Sequence, residues 1–218
     1  MKLTRDIVQT RFAVWREAGG AGAAPIPGVT RGEAWRGDHS MSPGARPPAG
    51  PLTPAAVLVP LVDRPAGLTV LLTQRTAHLS AHAGQICFPG GRIEPIDVDP
   101  VAAALREARE EIGLPAGHVE IVGRLTTFTT GTGFEIAPIV GLVRFPYPAE
   151  PDPHEVAEIF EVPLDFVVDP ANHERRSRES GGAIRSFFVL PYENRYIWGA
   201  TAAILVNLAK VLAAPPSD

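Results

Sequence analysis

Arg106-Glu107-Ala108-Arg109-Glu110-Glu111-Ile112-Gly113-Leu114 decides how this chain is read. At about 100° per residue, a helix through it puts Glu107, Glu110 and Glu111 within roughly 100° of arc. Val101, Leu105, Ala108 and Ile112 gather on another face, which suits packing against a sheet. Asp99 stands where an N-cap belongs, Pro100 at the first helical position, and Gly113 where a left-handed cap ends a helix. The expectation is a helix over 100–112. A solvated acidic face is one reading of the glutamates. Against it, Glu107 and Glu111 are an i,i+4 like-charge pair, which costs helix stability, and Glu110 has Leu114 rather than a lysine four residues on. A hard cation between the carboxylates makes sense of the arrangement.

Outward from this helix the chain divides unevenly. An amphipathic stretch over 3–17 reads as a helix, and 19–54, rich in Gly, Ala and Pro, as a long loop. The core then starts abruptly. Runs at 55–62 and 68–73 read as strands joined by a turn over 63–67, and Arg75 to Gly91 as a loop ending in a short strand and two glycines. Beyond the helix, strands are expected at 119–127 and 135–143, a short helical patch at 154–160, strands at 184–190 and 195–198, and an apolar helix over 200–213. The organisation expected is an N-terminal helix and loop over 1–54, one domain over 55–213, and a tail over 214–218.

Composition excludes several classes. The net charge is −4 and no Lys/Arg run with interleaved aromatics marks a nucleic-acid surface. No apolar run reaches the ~20 residues that span a bilayer, and the charged start lacks the apolar block of a secretory signal. The one cysteine, Cys87, cannot form an internal disulfide, which fits a reducing cytosol. A cytoplasmic protein acting on a small molecule, with no nucleic-acid or membrane partner, is expected; oligomeric state is open.

Arg106-Glu107-x-x-Glu110-Glu111-x-Gly113-Leu114, preceded by Gly90-Gly91, resembles the signature box of the Nudix hydrolases, which cleave nucleoside diphosphates linked to another moiety. Leu71-Leu-Thr-Gln-Arg75, Leu79-x-x-His82-x-Gly84-Gln85 and Phe88-Pro89-Gly90-Gly91 resemble the added signature of the coenzyme A pyrophosphatase branch. Glu155-Val156, Val162-Pro163-Leu164 and Ile197 to Ala202 are similar to that branch too. The general pattern has a Glu five residues after the glycine pair and seven before the Arg-Glu pair. Here five residues separate Gly91 from Asp97 and eight separate Asp97 from Arg106, one more than in the pattern, which leaves the roles of Asp97 and Glu94 open.

The resemblance implies an α/β fold with a mixed sheet between helices. It implies metal-dependent hydrolysis of coenzyme A or an acyl derivative to 3′,5′-ADP and 4′-phosphopantetheine or its acyl form. Hydrolysis of ADP-ribose or NADH, and nucleotide sensing without catalysis, are the alternatives. The physical logic stands without the name, because pyrophosphate repels hydroxide until its charge is neutralised and a water activated. Carboxylate oxygens suit Mg²⁺ or Mn²⁺. Glu107, Glu110 and Glu111 are the expected metal ligands, and Glu107, Glu110 or Glu155 the group that takes the proton from water. Arg106 is placed to hold Glu110 by charge pairing. Arg75 suits a phosphate clamp, or a surface ion pair. His82 is a weaker substrate contact, and Gly90 and Gly91 let backbone approach the phosphates. Cys87 reads as an inert core thiol. Tyr196 and Trp198 read as residues packing the last helix onto the sheet, with contact to a base or pantetheine as the alternative.

Overall fold

β1 (Thr53–Arg64) and β7 (Phe134–Arg144) run parallel through the middle of the molecule, paired from Thr53–Phe134 to Asp63–Arg144. Both are buried on both faces, which is why Ala55 to Val62 reads as a nearly unbroken apolar run. The computed structural model describes residues 2–17, 36–42, 48–78, 82–180 and 183–213. Most of the expected 19–54 loop, Leu79 and the 214–218 tail lie outside them.

The remaining strands of the main sheet are antiparallel. β2 (Gly67–Arg75) pairs with β1, β3 (Ile86–Cys87) and β8 (Val156–Pro163). β4 (Gly90–Arg92) pairs with the start of β1, and β5 (Val119–Arg124) and β6 (Phe128–Thr129) with β7. A second, three-stranded sheet has β10 (Ala183–Tyr192) between β9 (Glu174–Ser180) and β11 (Arg195–Trp198).

Helices cover both faces of the main sheet. α2 (Pro100–Ile112) packs Ala103, Ala104, Ala108 and Ile112 on Ala56, Leu58, Leu71 and Ile139. On the other face α1 (Arg5–Glu17) and α4 (Gly199–Ala213) share a core with Val59, Leu61, Val70 and Leu72, and α3 (Leu164–Val168) joins them through Leu164 and Val167. This is a mixed sheet between helices, as expected. Among the described residues no helix is long and apolar enough to cross a membrane.

One expectation fails. Residues 154–160 are not a helical patch: His154 and Glu155 lie in a turn, and Val156 starts β8. Pairing with β2 from Thr69–Pro163 to Arg75–Val156 decides this, since a strand added to an open sheet edge outweighs weak local preference. The sequence reading also passed over β4, β9 and α3.

Candidate active site

α2 begins and ends on the signals its sequence carries. The Asp99 carboxylate accepts the Ala102 N–H at 2.8 Å, and Gly113 closes the helix in the left-handed region at φ 65°. Between them the three glutamates meet three different environments. The Glu110 side chain is 59 % exposed, whereas that of Glu111 is only 4 % exposed. Glu107 is half-buried beneath Gly91, where a Cβ would strike its carboxylate. Glu111 thus sits inside the protein, not on a solvated face.

Three structural elements converge on Glu111. The Gly90 N–H donates to its Oε2 at 3.2 Å, and Arg75 Nη1 stands 3.7 Å from its Oε1. Arg75 reaches the α2 side because β2 alternates: Val70 and Leu72 enter the opposite core, while Leu71, Thr73 and Arg75 point toward α2. Arg75 Nη2 stands 3.9 Å from Glu155 Oε2. Backbone bonds fix the loop carrying Glu155 to the end of α2, since Glu150 N–H donates to Ile112 O and Asp152 N–H to Glu111 O. Thr76 N–H in turn donates to Glu155 O at 2.9 Å.

These neighbours set the charge balance. Burial pushes the Glu111 carboxyl up to about 8, and repulsion from Glu155 and Glu107 adds to it; the Gly90 N–H and Arg75 offset only part. Burial pushes Glu107 up as well, against the opposing pull of Arg106. Burial, with carboxylate repulsion adding to it, thus disfavours the ionised form of Glu111 where no cation is present.

Arg106 organises the rim. Its Nε and Nη2 grip the two oxygens of Asp97 at 3.0 Å each, Nη2 reaches the Arg92 carbonyl at 3.1 Å, and Nη1 reaches Glu107 at 3.0 Å and Glu110 at 2.9 Å. The expected Arg106–Glu110 pair is present, but as one spoke of a larger hub. Asp97 was left without a role by its sequence, and here it anchors that hub; its second oxygen also accepts the Glu94 N–H at 2.8 Å. The eight-residue spacing to Arg106 was the only sign.

The structure thus gathers Arg75, Gly90, Gly91, Glu107, Glu111 and Glu155, and leaves Glu110 at the edge. The His82 ring is bonded to Gln85 at 2.9 Å within its own turn, not to the carboxylates. Among the described residues no three His, Cys, Asp or Glu side chains converge as a ready-made cation cage, because Glu107 and Glu110 turn to Arg106. The donor set still fits a hard divalent ion. It is all oxygen, one carboxylate is buried, and its mutual repulsion is of the kind a dication relieves. Cys87 lies beside this group: burial pushes its thiol up, with Glu111 adding to this and Arg75 opposing it, and its sulfur lies 3.3 Å from Thr73 Oγ1.

The fold and this site define a chain that presents buried and rim carboxylates beside a glycine-lined turn. The description "NUDIX domain" matches residues 52–181. Over 156 residues the chain is 40 % identical to an uncharacterized Nudix hydrolase NudL of Yersinia pestis (strain Pestoides F), covering 72 % of this chain and 78 % of the relative. The same figures hold for the NudL of Yersinia pseudotuberculosis serotype O:1b. Among solved structures, the Nudix hydrolase RenU of M. Smegmatis aligns with a TM-score of 0.50 at 22 % identity, covering 81 % of this chain and 96 % of that one. The chain belongs to the Nudix family.

Proposed function

We propose that this chain hydrolyses the pyrophosphate of coenzyme A or an acyl derivative, releasing 3′,5′-ADP and 4′-phosphopantetheine or its acyl form. The observation that carries the hydrolytic reading is the buried Glu111, with the Gly90 N–H, Arg75 and Glu155 around it. The coenzyme A assignment is supported by the Leu71–Arg75, Gly84-Gln85 and Phe88–Gly91 segments, which the fold brings to one end of β2.

Glu107 and Glu111 would hold Mg²⁺ or Mn²⁺, with Glu110 supporting from the rim. Such an ion, when bound, neutralises phosphoryl charge and makes a bound water more acidic. Arg75, set between Glu111 and Glu155, meets the phosphoryl oxygens with its two Nη groups. Gly91 leaves room for the Glu107 carboxylate, and Gly90 turns its N–H to Glu111. Water oxygen bonds to one phosphorus as the bridging P–O bond breaks, and Glu155 accepts the water's proton. Its carboxylate is 47 % exposed and faces Arg75, so it reaches both solvent and substrate. Arg106 holds Glu107 and Glu110 in register while this happens.

The test is incubation with coenzyme A, ADP-ribose and NADH, with and without Mg²⁺, and product identification by mass. Coenzyme A giving 3′,5′-ADP and 4′-phosphopantetheine only with metal is expected. Preference for ADP-ribose or NADH would move the substrate within the family. Binding without turnover of any diphosphate would make the chain a sensor.

A further inference from the structure

A second feature lies on the far side of β2 from Glu111. Gln74 directly precedes Arg75, so its Cα is only ~3.8 Å from that of Arg75 while its side chain points to the opposite face. It lines a cavity of about 550 Å³ together with Gln85, Glu158, Asn194, Tyr196 and Trp198. The cavity therefore opens at the same strand end as the carboxylates, next to the Gly84-Gln85 turn.

The outer face of the three-stranded sheet continues from its rim. Arg176 lies over Tyr196 and Arg178 over Trp198, each 5.4 Å from the ring centre. Phe187 meets Trp198 edge-on at 5.6 Å. Glu174 already neutralises Arg176, at 2.6 Å. Among the described residues neither Arg178 nor Arg185 has a carboxylate within 4.0 Å, although Arg176 and Arg195 of this sheet do. Arg178 and Arg185 are also direct cross-strand partners. Like charges placed opposite each other on an antiparallel pair destabilise it. An anion bridging the two guanidiniums removes that cost, and two part-exposed rings beside it offer a flat aromatic group a stacking surface.

We infer that this cavity and sheet face take the nucleotide half of the substrate, with the base against Tyr196 and Trp198 and its phosphate monoester between Arg178 and Arg185. The inference rests on the coenzyme A reading, because that substrate carries both a base and a monoester beyond the bond that is cut. A monoester brings close to two negative charges at neutral pH, matched to two guanidiniums that no carboxylate among the described residues neutralises within 4.0 Å.

Coenzyme A and dephospho-coenzyme A differ only by that monoester, so their kcat/KM ratio isolates it. In the doubly substituted Arg178→Ala/Arg185→Ala protein, the ratio of coenzyme A to dephospho-coenzyme A is expected to fall about tenfold, the scale of lost charge-assisted hydrogen bonds. Damage to folding lowers both substrates together and cancels from the ratio. The milder Arg185→Gln protein is expected to move it the same way by about threefold. A ratio unchanged within about twofold in both variants, with both substrates turned over, overturns this inference alone. A wild-type chain that cleaves neither substrate ends the coenzyme A reading, and this one with it.

Discussion

Two glutamates on this scaffold are both largely buried, and their surroundings treat them in opposite ways. Glu161 of β8 accepts four hydrogen bonds: two from Arg64 at 2.6 and 3.0 Å, one from Thr69 at 2.5 Å and one from Tyr147 at 2.7 Å. Burial pushes its carboxyl up, but those donors outweigh it and hold it below the usual range. Among the described residues Glu111 accepts one hydrogen bond, keeps Arg75 at a distance and faces two other carboxylates. One site is saturated and the other leaves charge uncompensated. A folded protein keeps the second arrangement at a cost, and that cost is rational where a cation or a phosphoryl group completes the site.

Breaking each glutamate in turn gives the widest separation. Glu111→Gln is expected to lower kcat at saturating Mg²⁺ by at least ~10²-fold, the scale of losing one group that stabilises a transition state. Its melting temperature in chelator should not fall, because folding forces a proton onto Glu111, whereas the Gln amide is neutral in both states. Glu161→Gln is expected to do the reverse. It keeps kcat within about twofold and loses ~2 kcal/mol, or roughly 4–8 °C, as the Arg64 and Tyr147 bonds weaken. Near-normal turnover in Glu111→Gln would remove the contrast and the proposed chemistry together.

The two glycines of β4 sharpen the comparison. A Cβ on Gly90 would come within 2.6 Å of the Val57 Cα, so Gly90→Ala strikes backbone and should destabilise the sheet. The nearest atoms to a Cβ on Gly91 would be the carboxylate end of the Glu107 side chain, not backbone. Gly91→Ala is therefore expected to fold with a melting temperature within a few degrees of wild type, and to lose about tenfold in kcat/KM as Glu107 is displaced. Steady-state kinetics and thermal unfolding on the same preparations separate the two. Arg75→Ala should resemble Gly91→Ala, with kcat/KM down about tenfold, since its contacts to Glu111 and Glu155 are long ones.

What could be read beforehand follows the range of the forces involved. α2 was legible to the residue because its stop signals are local: Asp99 bonds Ala102 and Gly113 turns left-handed within one turn of the helix. The same holds for β11, found at the expected 195–198. β8 was misread because Val156, Ile159 and Phe160 have helical spacing, and only the distant edge of β2 makes them a strand. β9 was passed over because Glu174 to Ser180 is polar throughout and owes its extension to pairing with β10. At the site, the crowding of three glutamates was visible in sequence. Their division into buried, half-buried and exposed was not, nor was the Asp97–Arg106 anchor, because both depend on where β4 and the Glu94–Asp97 turn fall in space.

The smallest effect is also the most direct check on the two glutamates, and it is a matter of sign. With metal chelated, Glu111 titrates near about 8 when folded against about 4.5 unfolded. The folded state then holds a proton that the unfolded chain has released. This contribution to stability is complete below the unfolded value and lost as pH rises through the folded one. Glu161 runs the other way: its contribution is present above the unfolded value and lost as pH falls through its depressed value. Differences from wild type cancel the histidines and other groups common to all the proteins. In chelator, Glu111→Gln should melt close to the wild-type temperature near pH 5 and exceed it increasingly toward pH 8. The deficit of Glu161→Gln should be full at neutral pH and shrink only below about pH 4. Differential scanning fluorimetry across that range reads both curves. If they slope the same way, the two carboxylates do not differ as their surroundings require, and Glu111 is an ordinary buried acid.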